Sequence, residues 1–155
     1  MPVISGVVRG AGRRIGVVCA RFNEQITSRL LSGAQRALAE AGVPPEGIVT
    51  AHVPGAVEIP LAAGALLAQG KVDAVVALGA VIRGETGHYE SVCRMVEEGV
   101  LRVMLDAGKP VAFGVLTCEN EQQAFERSGE GAGNKGAEAA LTALEMLSLL
   151  EEVRR

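Results

Sequence analysis

Four short, largely apolar runs recur along the chain at intervals of about thirty residues. Strands buried on both faces show unbroken apolar runs of this kind rather than an alternation with polar residues, as in a parallel sheet covered by helices. The pattern therefore predicts four buried β-strands, at Ile15–Ala20, Ile48–Val53, Ala74–Ala80 and Val111–Leu116.

Helical patterns lie between and after these runs. Apolar residues spaced three and four apart, with Gly and Pro at the ends, predict helices over Glu24–Ala41, Glu58–Gln69, Tyr89–Ala107, Glu121–Arg127 and Gly136–Val153. Alternation of strand and helix predicts right-handed crossovers and a parallel sheet with helices on both faces. We expect one three-layer, flavodoxin-like α/β domain over residues 1–155.

Two segments are not explained by this alternation of strands and helices. Val3–Arg9 predicts an extra strand that has no evident place in the sheet order. The last helix is apolar around most of its circumference, whereas a surface helix of a monomer needs only a stripe. That excess favours a subunit interface.

Composition and charge exclude several classes of protein. The net charge of −3 leaves no basic footprint for a duplex nucleic acid. No apolar run is long enough for a membrane span, and the start of the chain lacks a signal-peptide pattern. Three cysteines without a CxxC motif indicate reduced, buried thiols in a cytoplasmic protein rather than a metal site. With no Trp, one Tyr and three Phe, the core must be aliphatic.

Unusual residues gather directly after the predicted strands. Ligands of open parallel sheets bind outside the carboxyl ends of the strands, where loops and helix N-termini converge. The segments at these ends are residues 21–24, 54–58, 81–88 and 117–120. We therefore expect a binding site at this edge of the sheet.

The third of these segments is the most distinctive. Gly84–Gly87 precedes a helix, so free backbone N–H groups meet the positive end of the helix dipole and favour an anion. The Thr86 hydroxyl is suited to cap that helix. His88 is a candidate for proton transfer beside the anion, although a capped helix with a surface histidine explains the same residues.

Other residues leave two interpretations open. Phe22 is either a stacking platform for a flat ring or a plug over the sheet end, and Phe113 belongs to the core by default. Glu58 either binds ligand hydroxyls or favours its own helix N-terminus. Arg127 either binds a phosphate in bidentate fashion or complements a helix C-terminus. His52, inside a strand, is expected to be a hydrogen-bonded core histidine.

The segment 131–136 matches GxGxxG by letter. A dinucleotide-binding loop needs a strand immediately before it and an acidic residue after the next strand. Here a helix precedes the segment and no strand follows, and Asn134 occupies the position of a phosphate-loop glycine. We interpret the segment as a flexible loop leading into the last helix.

Five motifs together resemble the lumazine synthase family: ARFN at 20–23, VPGAVEIP at 53–60, LGAVIRGETGHYE at 78–90, FGVLTCEN at 113–120 and GNKGAEAA at 133–140. The resemblance implies a transferase of riboflavin biosynthesis that needs no cofactor or metal. Its reaction condenses 5-amino-6-(D-ribitylamino)uracil with 3,4-dihydroxy-2-butanone 4-phosphate, giving 6,7-dimethyl-8-ribityllumazine, phosphate and water. The alternative is a flavodoxin-like module that binds a flavin or lumazine without turnover.

The resemblance also implies roles for residues. The pyrimidine and ribityl groups would contact Phe22, Ala56, Val57, Glu58, Ala80, Val81, Ile82, Phe113 and Lys135. The phosphate would contact Glu85, Thr86 and Arg127, and His88 would transfer protons. Phe113, Arg127 and Lys135 would come from a neighbouring subunit, which leaves Phe125 as the ring expected simply to pack. Val57 replaces an aromatic residue frequent in the family.

Members of the family assemble as pentamers, and many as a hollow shell of twelve pentamers. The resemblance therefore implies a homo-oligomer, and the short loop before the last helix favours the sixty-subunit shell. The strand at Val3–Arg9 would then join a neighbour's sheet. An association with riboflavin synthase is left open, and no nucleic acid or membrane partner is expected.

Overall fold

The computed structural model describes residues 1–155 as a parallel sheet between two layers of helices. Its strands are β1 (Ile15–Ala20), β2 (Ile48–Val53), β3 (Ala74–Ile82) and β4 (Val111–Cys118), in the spatial order β2-β1-β3-β4. Its α-helices are α1 (Glu24–Glu40), α2 (Ile59–Ala68), α3 (His88–Ala107), α4 (Glu121–Arg127) and α5 (Lys135–Val153). All strand pairs are parallel, which confirms the three-layer, flavodoxin-like α/β fold.

Two aliphatic cores hold the layers together. One lies between the sheet and α1, α4 and α5, and the other lies between the sheet and α2 and α3. Strand β3 contributes to both, because its successive side chains point to opposite faces of the sheet. Its residues from Ala74 to Val81 are all buried, as the unbroken apolar run predicted.

The strand ends differ from the predicted ones. Strands β3 and β4 each continue two residues further, because their ladder extends through the pairs Val81–Thr117 and Ile82–Cys118. Strand β2 is only partly buried, because it is an edge strand that the helices cover far less than they cover the other edge strand, β4. His52 is therefore exposed, and its interpretation as a core histidine is wrong.

The N-terminal segment forms no strand within this chain. It lies along α5, where the Val7 backbone N–H donates to the Ser148 hydroxyl over 3.1 Å. A Cβ on Gly6 would lie 2.2 Å from the Glu145 carbonyl oxygen, so the two backbones are in close contact. The backbone N–H and C=O groups of α5 are already paired within the helix, so the N-terminal segment cannot pair with it as a strand. Pairing of Val3–Arg9 with a neighbour's sheet stays a prediction.

The apolar circumference of α5 is explained only in part within the chain. The helix packs against α1 on one side and against β3 and β4 on another, and it buries seven of its residues there. Two-sided burial needs a wider apolar surface than a single stripe. Leu141, Met146 and Val153 nevertheless remain exposed on this helix, so a subunit interface there stays a prediction. None of the helices combines the length and apolar character needed to cross a membrane.

Two aromatic rings do not pack in the core. Phe125 is 53% exposed, and the Arg29 guanidinium lies 4.0 Å from its ring centroid, so its expected packing role is wrong. Phe113 lies on edge strand β4 and is 43% exposed, which rules out its default assignment to the core. Phe113 thus lies on an edge strand, whereas Phe125 lies on the exposed side of α4, a helix of one covering layer.

Two helices approach each other closely at the start of α5. A Cβ added to Gly136 would lie 2.2 Å from the Leu30 carbonyl oxygen of α1. Only the absence of a side chain allows this distance, so Gly136 sets the separation of the two helices.

We expect Gly136→Ala to destabilise the protein by about 1–3 kcal/mol, because the two helix backbones must separate. The matched control is Gly64→Ala in α2, where the new Cβ would meet only the Val103 methyl groups at ordinary contact distances of 3.7 and 3.8 Å. That change should stabilise by up to about 1 kcal/mol through helix propensity. Thermal unfolding of both variants should show a lower Tm for Gly136→Ala and a higher Tm for Gly64→Ala. A stabilised Gly136→Ala would contradict the close-contact argument.

Candidate active site

A cavity of about 580 Å³ lies at the carboxyl edge of the sheet. It is bounded by the segments that follow β1, β2 and β3 and by the first turns of α3. Eight of the residues predicted from sequence line it: Phe22, Ala56, Val57, Ala80, Val81, Ile82, Thr86 and His88. The concentration of unusual residues after the strands thus corresponds to one physical cavity.

Phe22 reaches the cavity on a short, ordered turn. The backbone N–H groups of Arg21 and Phe22 donate to the carbonyls of Val53 and Pro54, over 2.8 and 3.1 Å, and so prolong the β1–β2 pairing. The Phe22 ring is 71% exposed while lining the cavity, which contradicts a packed plug. An open ring at this place is suited to stack on a flat ligand.

Asn23 fixes this turn and was not predicted. Its backbone is left-handed, with φ of 63°, and it is the only non-glycine residue with a positive φ. Its Nδ2 donates to the Ala80 carbonyl over 2.8 Å, and its own carbonyl accepts from the N–H groups of Ile26 and Thr27 at the start of α1. Asn tolerates this conformation better than most residues, and that preference is the signal in the sequence that would have found it.

The end of β3 presents a free backbone edge to the cavity. Pairing between β1 and β3 ends at Cys19–Leu78, whereas β3 continues to Ile82. The β1-facing edge of residues 80–82 therefore has no strand partner, and Asn23 occupies the Ala80 carbonyl. Parallel strands of unequal length thus leave donors and acceptors where a planar ligand edge is able to bind.

The turn after β2 forms the neighbouring wall. Residues Ala56–Glu58 make a single 3-10 turn before α2 begins at Ile59, so the helix starts one residue later than predicted. The Glu58 carboxylate lies next to Gly55, which lines the cavity: a Cβ on Gly55 would be 3.2 Å from the Glu58 Oε1. Glu58 is half-buried and adjoins the lining without belonging to it.

The loop after β3 leads to the N-terminus of the longest helix, α3. The Thr86 Oγ1 accepts a hydrogen bond from the His88 backbone N–H over 3.3 Å. Gly87, not Thr86, is the N-cap of α3, so the predicted capping role of Thr86 is wrong. Gly84 and Gly87 have no atoms within 4 Å of an added Cβ, so the loop backbone is accessible. Glu85 is exposed between the lining residues Gly84 and Thr86. His88 is exposed and lines the cavity.

The α3 face that continues from His88 also lines the cavity, through Ser91, Val92 and Met95. These positions lie three, four and seven residues after His88, which is the spacing of one helix face. The 3.6-residue period would have revealed them once His88 was taken as a site residue.

Arg83 anchors the same loop from outside the cavity. Its Nε and Nη2 donate to the two carboxylate oxygens of Glu119 over 2.6 and 3.3 Å, and its Nη1 donates to Glu90. Its guanidinium also lies 4.3 Å from the Tyr89 ring centroid. The guanidinium lowers the pKa of the Glu90 carboxyl below its ordinary value, so this carboxylate remains charged near neutral pH. No local pattern predicts this cluster, because Glu119 is far from Arg83 along the chain.

Comparison with known proteins identifies the family of the chain. A family model described as 6,7-dimethyl-8-ribityllumazine synthase matches residues 12–151. The 6,7-dimethyl-8-ribityllumazine synthase of Desulfatibacillum aliphaticivorans is 47% identical over 152 residues, which cover 98% of each chain. The chain belongs to the 6,7-dimethyl-8-ribityllumazine synthase family. The resemblance carried by the five motifs is thereby confirmed.

Five residues that the lumazine synthase resemblance assigns to the site do not line the cavity of their own chain: Glu58 and Glu85 adjoin its lining, and Phe113, Arg127 and Lys135 lie elsewhere. Phe113 is on the outer strand β4. The Arg127 Nη1 donates to the Gln123 carbonyl over 3.0 Å near the end of α4, and the Lys135 Nζ pairs with Glu138 over 3.0 Å. These last three are exposed. Their assignment to a neighbouring subunit's site stays a prediction.

The cysteines take no part in the cavity. Cys19, Cys93 and Cys118 are buried and unpaired, as predicted. Burial raises the pKa of each thiol above its ordinary value, so all three are protonated near neutral pH. A protonated, buried thiol is a poor nucleophile.

A larger cleft of about 800 Å³ lies between α1 and the loop over residues 128–134. It contains none of the site residues that the lumazine synthase motifs imply. The smaller cavity is therefore the one that the chemistry supports.

We expect Asn23→Ala to destabilise the protein by about 2 kcal/mol, through loss of the hydrogen bond to Ala80 and a strained left-handed alanine. Asn23→Gly should cost only about 1 kcal/mol, because glycine adopts the backbone freely and lacks only the hydrogen bond. Thermal unfolding measures both values. Equal losses in the two variants would show that the backbone conformation contributes nothing.

Proposed function

We propose how this member of the lumazine synthase family carries out its reaction, the condensation of 5-amino-6-(D-ribitylamino)uracil with 3,4-dihydroxy-2-butanone 4-phosphate. The observation that carries the proposal is the cavity itself. It brings together an open aromatic ring, a free sheet edge, an accessible helix N-terminus and a histidine.

The pyrimidine is proposed to stack on Phe22 with its polar edge toward residues 80–82. The free backbone edge there matches the alternating N–H and C=O groups of a uracil ring. Ala56 and Val57 line the turn beside it, and the Glu58 carboxylate accepts hydrogen bonds from ribityl hydroxyls. Val57 is slimmer than an aromatic residue, so this wall contributes less contact area to the ring.

The phosphate is proposed to bind at the start of α3. The N–H groups of Glu85 and Thr86 and the Thr86 hydroxyl are available there, and the helix dipole favours an anion. The Glu85 carboxylate repels a phosphate, and its exposure is consistent with a side chain turned to solvent. Arg127 of a neighbouring subunit supplies the compensating charge.

The reaction consists of additions and eliminations linked by proton transfers. The primary amine of the pyrimidine attacks the ketone, and loss of water leaves an imine. Loss of a proton and of phosphate gives an enol, which tautomerises to a new ketone. The ribityl-bearing nitrogen then attacks that ketone, and a second water leaves as the ring closes. His88 beside the phosphate is proposed to move these protons, and positioning of the two reactants supplies the rest.

The complete site is proposed to form between subunits of a homo-oligomer in the cytoplasm. Phe113, Arg127 and Lys135 are exposed and lie away from their own cavity, which supports their use by an adjacent copy. A head-to-tail contact of this kind closes into a ring, here a pentamer. We further propose that twelve pentamers form a shell and that Val3–Arg9 pairs with a neighbour's sheet.

We expect the protein to accelerate formation of the lumazine above the spontaneous condensation, with matching release of phosphate. His88→Ala should lower kcat by about ten- to a hundredfold, at the low end of general acid–base effects because the reactants condense unaided. His52→Ala, the same change at the other histidine, should leave kcat unchanged. Lumazine absorbance and a phosphate assay measure both. No acceleration by the wild-type protein would refute the enzymatic proposal in favour of simple binding.

Mixed oligomers test whether sites are shared. We expect Phe22→Ala and Arg127→Ala each to lose most activity, because each removes one half of every site. Coexpression of the two variants should restore roughly one site in four, where an intact Phe22 meets an intact Arg127 by chance. Sedimentation velocity checks that the mixed protein keeps the wild-type assembly. An absence of restored activity in mixed assemblies would place both residues in one chain's site.

A further inference from the structure

We propose that Asn134 is a positioning residue that holds Arg127 in place for the phosphate. The proposal rests on the proposed function, in which Arg127 serves the site of a neighbouring subunit. It assigns to the GNKG segment a mechanical role that differs from its interpretation as a flexible loop.

Asn134 is the residue around which the α4–α5 corner is built. It is 3% exposed, and its Oδ1 accepts from the Ala137 backbone N–H over 3.0 Å, so it caps α5. Its Nδ2 donates to the carbonyl oxygens of Arg29, Ser128 and Gly129, over 3.1, 3.2 and 3.0 Å. An amide has two hydrogens, so these three acceptors share them. A single buried side chain thus connects α1, the turn after α4 and the start of α5.

This connection acts on the backbone that carries Arg127. Arg127 is the last residue of α4, and the carbonyls of the two residues that follow it both accept from the Asn134 amide. The Arg127 guanidinium itself makes only an exposed contact with the Gln123 carbonyl. Its direction therefore depends on the main chain, which the buried amide fixes, rather than on its own side-chain contacts.

Helix α1 leaves space for the Asn134 amide. A Cβ on Gly33 of α1 would lie 2.3 Å from the Asn134 Oδ1, so only glycine admits the side chain there. The Ser128 hydroxyl adds a second link, because it accepts from the Arg29 Nε over 3.3 Å and donates to the Ala124 carbonyl over 2.9 Å. Ser128 is 1% exposed. The corner is thus held by hydrogen bonds from two buried side chains.

No other common side chain performs both tasks of Asn134. Serine caps α5 through its hydroxyl but leaves the carbonyls after α4 without the amide donors. Aspartate caps equally well but places a carboxylate against three carbonyl oxygens. Both substitutions therefore keep the cap of α5 and remove the hydrogen bonds that connect α5 to the turn after Arg127.

The test measures KM for each substrate separately. We expect Asn134→Ser to raise KM for the butanone phosphate about tenfold while KM for the pyrimidine stays within about twofold, because a misplaced guanidinium affects only the phosphate. Asn134→Asp should give the same split and serves if the serine variant does not fold. Leu38→Ala is the matched control: it removes a fully buried side chain from the same core, at the far end of α1. It should lower Tm without changing either KM by more than about twofold.

A double-mutant cycle shows whether the effect passes through Arg127. In an Arg127→Ala background, Asn134→Ser should add less than about a twofold change in KM for the butanone phosphate, because there is no guanidinium left to position. Additive effects, or an equal rise in KM with Leu38→Ala, would overturn the inference while leaving the proposed function intact. If Arg127→Ala alone leaves that KM unchanged, the proposed phosphate site is itself wrong and the inference falls with it.

Discussion

The central strand β3 runs past the end of its neighbour β1, and the cavity occupies the space that this leaves. Pairing stops at Cys19–Leu78, yet β3 continues to Ile82 because β4 still pairs with it on the other side. The amide of Asn23 binds the first unpaired carbonyl and turns the chain into α1. Phe22 precedes that turn, and the phosphate loop leaves from the end of β3. Each wall of the cavity is thus placed relative to the same unpaired edge.

The scarcity of aromatic residues has a structural counterpart. Because the core is built from Val, Leu, Ile and Ala, helices approach each other closely, and Gly136 brings α5 against the backbone of α1. None of the three phenylalanines is buried. Phe22 faces the cavity, Phe113 lies on an edge strand and Phe125 is covered only by Arg29. Exposed rings on a small domain favour contacts with a ligand or another subunit.

Two side-chain networks keep the site elements in position. Arg83 joins the phosphate loop to α3 and to the end of β4 through Glu90, Glu119 and Tyr89. Asn134 does the same for the corner that carries Arg127, with a buried amide in place of ion pairs. Exposed ion pairs are weak individually, and this cluster depends on several contacts at once. The buried Asn134 amide restricts the backbone conformation more strongly, because any other conformation would leave buried carbonyls without a hydrogen-bond donor.

The sequence by itself determined the four strands, the five helices and most of the cavity lining. Apolar periodicity is a local property, and the ends of parallel strands meet at one edge whatever the details of packing. The tertiary structure decided which edge strand the helices cover least, and hence that His52 is exposed, and that α5 is buried on two sides. It also decided the partners of Arg83 and of Asn134, since these contacts join residues that are far apart along the chain. Local patterns carry no information about such pairs, because only the packing of whole layers brings them together.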